Sequence, residues 1–166
     1  MPVTDTSNIN RNDGINAARD LTQARLETIC DPKVLVDQFL SNQLNRDIVA
    51  AVVHFSMRRF EAASTAYEAS IAHNAGLSWF GRLFYSNPVI EPEILRYAAN
   101  DELVKAFRDD PLKMRQALKG LVEAGILKEV CAFISSLSIS SIGFRVNSEF
   151  KQPVIDFLAQ HGKSNS

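Results

Sequence analysis

The chain has 166 residues, which fits one large domain or two small ones. With 46% hydrophobic and 22% charged residues it can bury a core, and its formal net charge of −1 does not point to a polyanionic partner. Because no apolar run is long enough to cross a bilayer and no secretory-signal pattern is present, we expect a cytoplasmic protein with no membrane partner.

The N-terminal half is predicted to be helical after a short polar arm. Residues 1–15 are rich in Asn, Asp, Thr and Ser and lack an apolar period, which predicts a flexible arm. Apolar residues recur at helical spacing in residues 15–29. Asp31-Pro32 then starts a second helix, because Asp accepts from free backbone N–H groups and Pro fits the first turn. We assign residues 16–90 to a helical bundle or a dimerisation region.

The longest predicted helix runs from Arg46 to about Asn74, a segment without Gly or Pro. It carries an apolar stripe with the spacing of helix–helix packing. The stripe residues that we assign to dimerisation are Val49, Val53, Phe60 and Tyr67. Two interpretations stay open, since the stripe fits either a homodimer interface or the central helix of a monomeric bundle.

An aromatic segment, residues 76–87, follows the long helix. It contains Trp79, Phe80, Phe84 and Tyr85. Because aromatic side chains bury large areas, we expect them to join the helical part to the C-terminal part, with a small-molecule pocket as the alternative. Asn87-Pro88 and Glu91-Pro92 mark the boundary between the parts.

The C-terminal part begins with three predicted helices. The first covers residues 93–99 and the second residues 102–107. Asp110-Pro111 starts the third, which runs to about Ala124, and Gly125 stands where a left-handed residue ends a helix.

The apolar period then changes to that of strands. Leu137 and Ile139 alternate with serines, and Phe144 and Val146 alternate with polar residues or glycine, which predicts a hairpin with its turn near residues 140–143. Residues 150–160 return to helical spacing.

Residues 92–162 resemble winged helix-turn-helix domains of bacterial regulators. The residues that carry the resemblance are Ala117-Leu118, Leu121, Gly125-Ile126 and Phe144-Arg145-Val146. The resemblance implies that the helix 111–124 is a recognition helix that reads double-stranded DNA and that the hairpin contacts the DNA beside it. The nucleic-acid-binding residues it implies are Lys113, Arg115, Gln116, Lys119 and Arg145.

The charges leave a second interpretation open. From residue 92 onward there are ten Lys and Arg against nine Asp and Glu, a net charge of +1, whereas dedicated DNA readers usually carry a basic patch. The hairpin offers serines and only one cation, Arg145. Polar residues on the helix 111–124 also fit an ordinary solvated face, and the serine alternation fits a half-buried strand.

Catalytic and metal-binding patterns are absent from the sequence. His54 and His73 are nineteen residues apart, too far for a metal pair on one helix, and Cys30 and Cys131 have no metal-ligand spacing. Cys30 fits a buried structural residue better than a reactive thiol. We therefore expect no cofactor, no metal and no enzymatic activity.

The predicted fold is mainly α: a helical N-terminal region with one long helix, then a C-terminal winged helix with a β-hairpin. The predicted function is that of a DNA-binding regulator or accessory factor. The alternative is an adaptor or assembly subunit that uses the winged helix to bind protein.

Overall fold

The computed structural model describes residues 31–134 and 139–161. The predicted arm, the predicted helix 15–29 and Cys30 lie outside these ranges. Within them, no helix combines the length and the apolar character that crossing a membrane requires.

The first described helix forms as its start signals predict. Helix α1 spans Pro32–Leu40, and the Asp31 carboxylate accepts a hydrogen bond from the backbone N–H of Lys33 at 2.8 Å. Pro32 occupies the first turn, where a backbone N–H is not needed. Val36 and Leu40 are buried, so this face of α1 belongs to the core.

Helix α2, Gln43–Gly76, confirms the predicted long helix and extends it at both ends. Asn42 caps it by accepting from the backbone N–H groups of Leu44 and Asn45. Its buried residues are Ile48, Val49, Val52, Ser56 and Ala63. Beyond Ala63 no residue of α2 is buried, so the last part of the helix runs past the core.

Helix α3, Trp79–Tyr85, contains the aromatic segment, and its side chains are exposed. The prediction that these rings join the two parts of the chain is wrong. The segment is instead held by polar backbone contacts. Asn74 exchanges two hydrogen bonds with the backbone of Asn87, at 2.8 and 3.0 Å, and His73 Nε2 lies 3.2 Å from the carbonyl oxygen of Tyr85.

The prediction of a helix over residues 93–99 is also wrong. A 3₁₀ helix, Pro92–Leu95, is followed by a two-residue strand, β1, Ala98–Ala99. β1 pairs antiparallel with a later strand, and this tertiary pairing overrides the local helical spacing. Ile94 of the 3₁₀ helix is 56% exposed, whereas Ala98 of β1 is fully buried.

Two helices follow β1. In α4, Asn100–Ala106, Glu102 Oε2 accepts from the backbone N–H of Ala99 at 3.0 Å. Helix α5, Pro111–Glu123, starts at Asp110, whose carboxylate accepts from the backbone N–H of Lys113 at 3.1 Å. Gly125 has a φ of 76°, which confirms the predicted left-handed residue after the helix.

Strands β2, Leu127–Ile134, and β3, Ile139–Val146, form an antiparallel hairpin, and the sheet order is β1-β3-β2. The predicted turn near residues 140–143 is wrong, because these residues lie within β3. Gly143 is paired with Val130 on one side and Ala99 on the other. A Cβ at Gly143 would overlap the Tyr97 ring and would lie 2.6 Å from the Ala98 carbonyl oxygen. The glycine permits close approach and does not form a turn.

A short 3₁₀ helix, Ser148–Phe150, leads into the last helix, α6, Lys151–His161. The main hydrophobic core contains residues from both predicted parts of the chain, with Ile48 and Val52 of α2 beside Leu118, Phe144 and Val154. The predicted boundary near residue 90 therefore does not separate two cores. The mainly α class is confirmed, since the described residues contain six α-helices, two short 3₁₀ helices and a small three-stranded sheet.

Candidate functional site

Helix α5 presents an exposed polar face. Its opposite face holds Met114, Leu118 and Leu121, which are buried at spacings of four and three residues. Four of the five residues predicted to bind nucleic acid lie on the exposed side: Lys113, Arg115, Gln116 and Lys119.

Acidic neighbours neutralise both lysines of this face. Lys113 Nζ lies 2.7 Å from Asp110 Oδ2, and Lys119 Nζ lies 3.6 Å from Glu123 Oε1. The side-chain hydrogen bond between Lys113 and Asp110 lowers the pKa of the Asp110 carboxyl and raises the pKa of Lys113. Within the described ranges, Arg115 forms no ion pair, so it is the α5 cation that remains available to a phosphate or a base.

The fifth predicted residue, Arg145, leaves the opposite face of the sheet. Its neighbour Phe144 belongs to the core that contains the buried side of α5, and successive side chains of a strand point to opposite faces. Arg145 is directly paired with Lys128 of β2. The structure therefore does not place Arg145 with the polar face of α5.

Arg145 lines a cavity of about 250 Å³, which we call the cationic cavity. Its walls come from α2, the 3₁₀ helix Pro92–Leu95 and the residue after it, β2, β3 and the start of α6. Its charged lining residues are Glu93, Arg96, Lys128, Arg145 and Lys151. These are four cations and one carboxylate, a net charge of +3 in a chain whose total is −1.

The sequence did not reveal this cluster of cations. Lys151 follows Arg145 by six residues, but Lys128 precedes it by seventeen, and only the register of the hairpin brings Lys128 opposite Arg145. The predicted turn near residues 140–143 implied a different register. Register decides which side chains share a face, because a shift of one residue moves every side chain to the other face.

The four residues assigned to dimerisation lie in different environments. Val49 is fully buried in the core of its own chain, and Val53 is half-buried against that core. Phe60 is half-buried with the Arg96 guanidinium 4.9 Å from its ring centroid, and Tyr67 is half-buried beyond the last buried residue of α2. In this conformation Val49 stabilises the protomer and offers no surface to a second chain.

Five large apolar side chains form an exposed surface on and around α3, which we call the aromatic surface. They are Trp79, Phe80, Leu83, Phe84 and Tyr85, with exposed fractions from 59% to 75%. The ring centroids of Trp79 and Phe80 are 5.5 Å apart in an edge-to-face contact, and those of Phe80 and Phe84 are 5.2 Å apart. The rings pack on one another and not on the core.

Across residues 31–134 and 139–161, no three His, Cys, Asp or Glu side chains form a group that could hold a metal ion. Cys131 is a free, exposed thiol on β2, and the His54 ring packs edge to face on Phe55.

Comparison of the chain with protein-family models, with curated proteins and with solved structures gave no match.

Proposed function

We propose that the protein is a DNA-binding regulator or accessory factor and that residues 92–161 act as a winged helix with α5 as its recognition helix. The observation that carries the proposal is the polar face of α5, where Arg115 and Gln116 are exposed and are not held by another described side chain. Arg can bind guanine and Gln can bind adenine through two hydrogen bonds each. The arrangement of a capped helix, a glycine stop and an antiparallel hairpin supports the resemblance on which this role is based.

The ion pairs of the two α5 lysines determine how tightly we expect the protein to bind DNA. A protein that contacts many DNA phosphates loses affinity steeply as the salt concentration rises. The slope of log K against the logarithm of the salt concentration is about −0.9 for each phosphate contacted. Because Asp110 and Glu123 already bind Lys113 and Lys119, a single protomer contributes few phosphate contacts from α5. We therefore expect weak binding to mixed duplex DNA at low salt, with a shallow salt dependence.

The test is a fluorescence-anisotropy titration of the full chain with duplex DNA over a series of salt concentrations. Arg115→Ala should weaken binding by about 1–3 kcal/mol if Arg115 reads a base, or lower the salt slope by about one if it contacts a phosphate. Arg58→Ala, which removes an exposed arginine from α2, is the matched control and should leave binding unchanged. Absence of binding at low salt, or equal binding by Arg115→Ala and wild type, would refute the proposal.

The aromatic surface favours a second candidate function, that of an adaptor or assembly subunit that binds protein. Monomeric proteins rarely expose a contiguous apolar patch of several large side chains, and such patches mark interaction sites. Interface cores are enriched in Trp, Tyr and Phe. The surface lies beside the part of α2 that carries no buried residue, and a second copy of the chain that covers both is one partner that this candidate allows.

Sedimentation velocity over a range of protein concentrations tests this candidate. Self-association through the aromatic surface should appear in the wild type and be lost in Trp79→Ser/Phe84→Ser. A wild type that stays monomeric at tens of micromolar would exclude the homodimer. A monomer that also captures no protein partner through this surface would exclude the adaptor.

A further inference from the structure

We propose that the cationic cavity is a binding site for a small amphipathic anion, namely a carboxylate or phosphate group that carries a short apolar body. The site is separate from the polar face of α5, since no residue of α5 lines the cavity. The inference is independent of the proposed DNA binding.

The first observation is the like-charge pair across the hairpin. Lys128 and Arg145 are direct partners in an antiparallel register, so their side chains leave the same face of the sheet at close range. Like charges directly opposite each other destabilise a sheet. An anion bound between them would turn this repulsion into two attractive contacts.

The second observation is that the cations of the cavity are mostly unneutralised. Arg96 is bound to Glu93 at 2.8 Å, and Glu93 is the one carboxylate among the lining residues. Lys128, Arg145 and Lys151 form no ion pair with any described carboxylate, whereas both lysines on α5 do. Three unpaired cations therefore line the cavity, whereas Arg115 is the one cation of α5 without an ion pair among the described residues.

The third observation is a buried hydroxyl in the cavity wall. Ser56 lies on α2, is 8% exposed, and lines the cavity. Its hydroxyl oxygen is buried and has no hydrogen-bond partner among the described residues. Buried polar groups are almost always hydrogen-bonded, so an unpartnered hydroxyl on a residue that lines the cavity supports a ligand that completes its bonding.

The apolar side chains that line the cavity indicate that the ligand carries an apolar body beside its anionic group. Val53 and Met57 of α2 face the cavity together with Val154 and Ile155 of α6. Lys128, Arg145 and Lys151 are exposed and Val154 is fully buried, while Met57 and Ile155 are 39% and 52% exposed, so the apolar lining extends from the depth of the cavity to its rim. Ligand sites combine an apolar lining with a few polar groups and usually enclose roughly 300–1,000 Å³. A cavity of about 250 Å³ suits a ligand smaller than a typical drug.

Calorimetric titration of the full chain with four probes tests the inference. The probes are hexanoate, hexyl phosphate, hexan-1-ol and inorganic phosphate. We expect saturable binding of at least one of the first two in the millimolar range or tighter. The uncharged alcohol and inorganic phosphate should bind at least about tenfold more weakly, because each lacks one half of the ligand. Tighter binding of hexanoate or of hexyl phosphate identifies the head group as a carboxylate or a phosphate ester.

Variants locate the site. Lys128→Ala and Arg145→Ala should each weaken binding about tenfold or more, as expected for the loss of a hydrogen bond to a charged group. Arg108→Ala is the matched control, because Arg108 is highly exposed and does not line the cavity. Ser56→Ala should also weaken binding but leave the free protein at least as stable, since it removes an unpartnered buried hydroxyl.

Three results would overturn the inference. They are the absence of binding by both hexanoate and hexyl phosphate, equal binding of hexan-1-ol, and unchanged binding by both Lys128→Ala and Arg145→Ala. Retained ligand binding in a protein that fails to bind DNA would refute only the DNA-binding proposal.

Discussion

Replacement of Gly143 by alanine tests the packing at the centre of the small sheet. The new Cβ would overlap the Tyr97 ring and lie 2.6 Å from the Ala98 carbonyl oxygen, which belongs to the backbone of β1 and cannot rotate away. The Tyr97 ring is 3% exposed and is covered by the Arg59 guanidinium at 4.8 Å, so it has little room to move. Overpacking of this kind costs about 1–3 kcal/mol.

The unfolded state partly offsets this cost. Alanine has less backbone freedom than glycine when unfolded, which favours the variant by roughly 0.4–1 kcal/mol where the native backbone tolerates it. Because one of the close contacts is with backbone, we place the clash near the upper end of its range and expect a net loss of about 2 kcal/mol. The assay is equilibrium urea unfolding of both proteins, with the free energies of unfolding compared at equal slope.

Gly120→Ala is the matched control with the opposite sign. Gly120 lies within α5, and an added Cβ would meet no atom within 4 Å. Alanine should therefore stabilise the helix by roughly 0.8–1.0 kcal/mol. A Gly143→Ala protein within about 0.5 kcal/mol of the wild type, the usual range for an innocuous surface change, would refute the assigned contacts of Tyr97.

Three further predictions concern other parts of the fold. Glu102→Ala should lower the free energy of unfolding by about 1.5–3 kcal/mol, the value of a charge-assisted hydrogen bond. The reason is that Glu102 Oε2 accepts from Arg59 at 2.8 Å and also from the backbone N–H at the start of α4. A urea unfolding curve that matches the wild type would contradict this prediction. Trp79→Ala should change the free energy of unfolding by less than about 0.5 kcal/mol, because Trp79 is exposed. The wild type has a single tryptophan, and its fluorescence should be red-shifted and readily quenched. A blue-shifted emission that is protected from quenching would show that the aromatic surface is covered. The pKa of Asp110 is lowered in the folded state, so its contribution to stability is present above the ordinary carboxyl pKa of 3.8 and is lost as pH falls through the lower folded value. The difference in the free energy of unfolding between wild type and Asp110→Asn should therefore shrink over that acid range. It should stay constant between pH 5 and pH 8, roughly the range in which proteins are most stable.

The sequence predicted the elements that are specified by local chemistry. Asp31-Pro32 and Asp110-Pro111 each marked a helix start, and Gly125 marked a helix end, because a cap or a left-handed residue is decided within one turn of the chain. The long helix followed from an uninterrupted helical period. Each of these signals is contained in a few neighbouring residues.

The elements that depend on distant partners were not predictable in the same way. Ala98 and Ala99 have no strand signal of their own and become a strand because β3 offers them a free edge. Gly143 looked like a turn residue, although its role is to let Tyr97 approach the sheet. The cationic cavity depends on the same register, so the residues that line it could not be grouped before the pairing of Lys128 with Arg145 was known.

The two parts of the long helix α2 differ in what they contribute to the core. The first part, up to Ala63, is the central helix of the fold, because it supplies core residues such as Val49 and Val52 and carries the Arg59–Glu102 ion pair. The part after Ala63 adds thirteen residues, through Gly76, without a buried side chain, and it ends beside the aromatic surface. Helical stability in proteins comes mainly from packing of an apolar face, so this second part gains little from its own chain. A partner that covers it would therefore stabilise the end of α2 without being required for the core to fold.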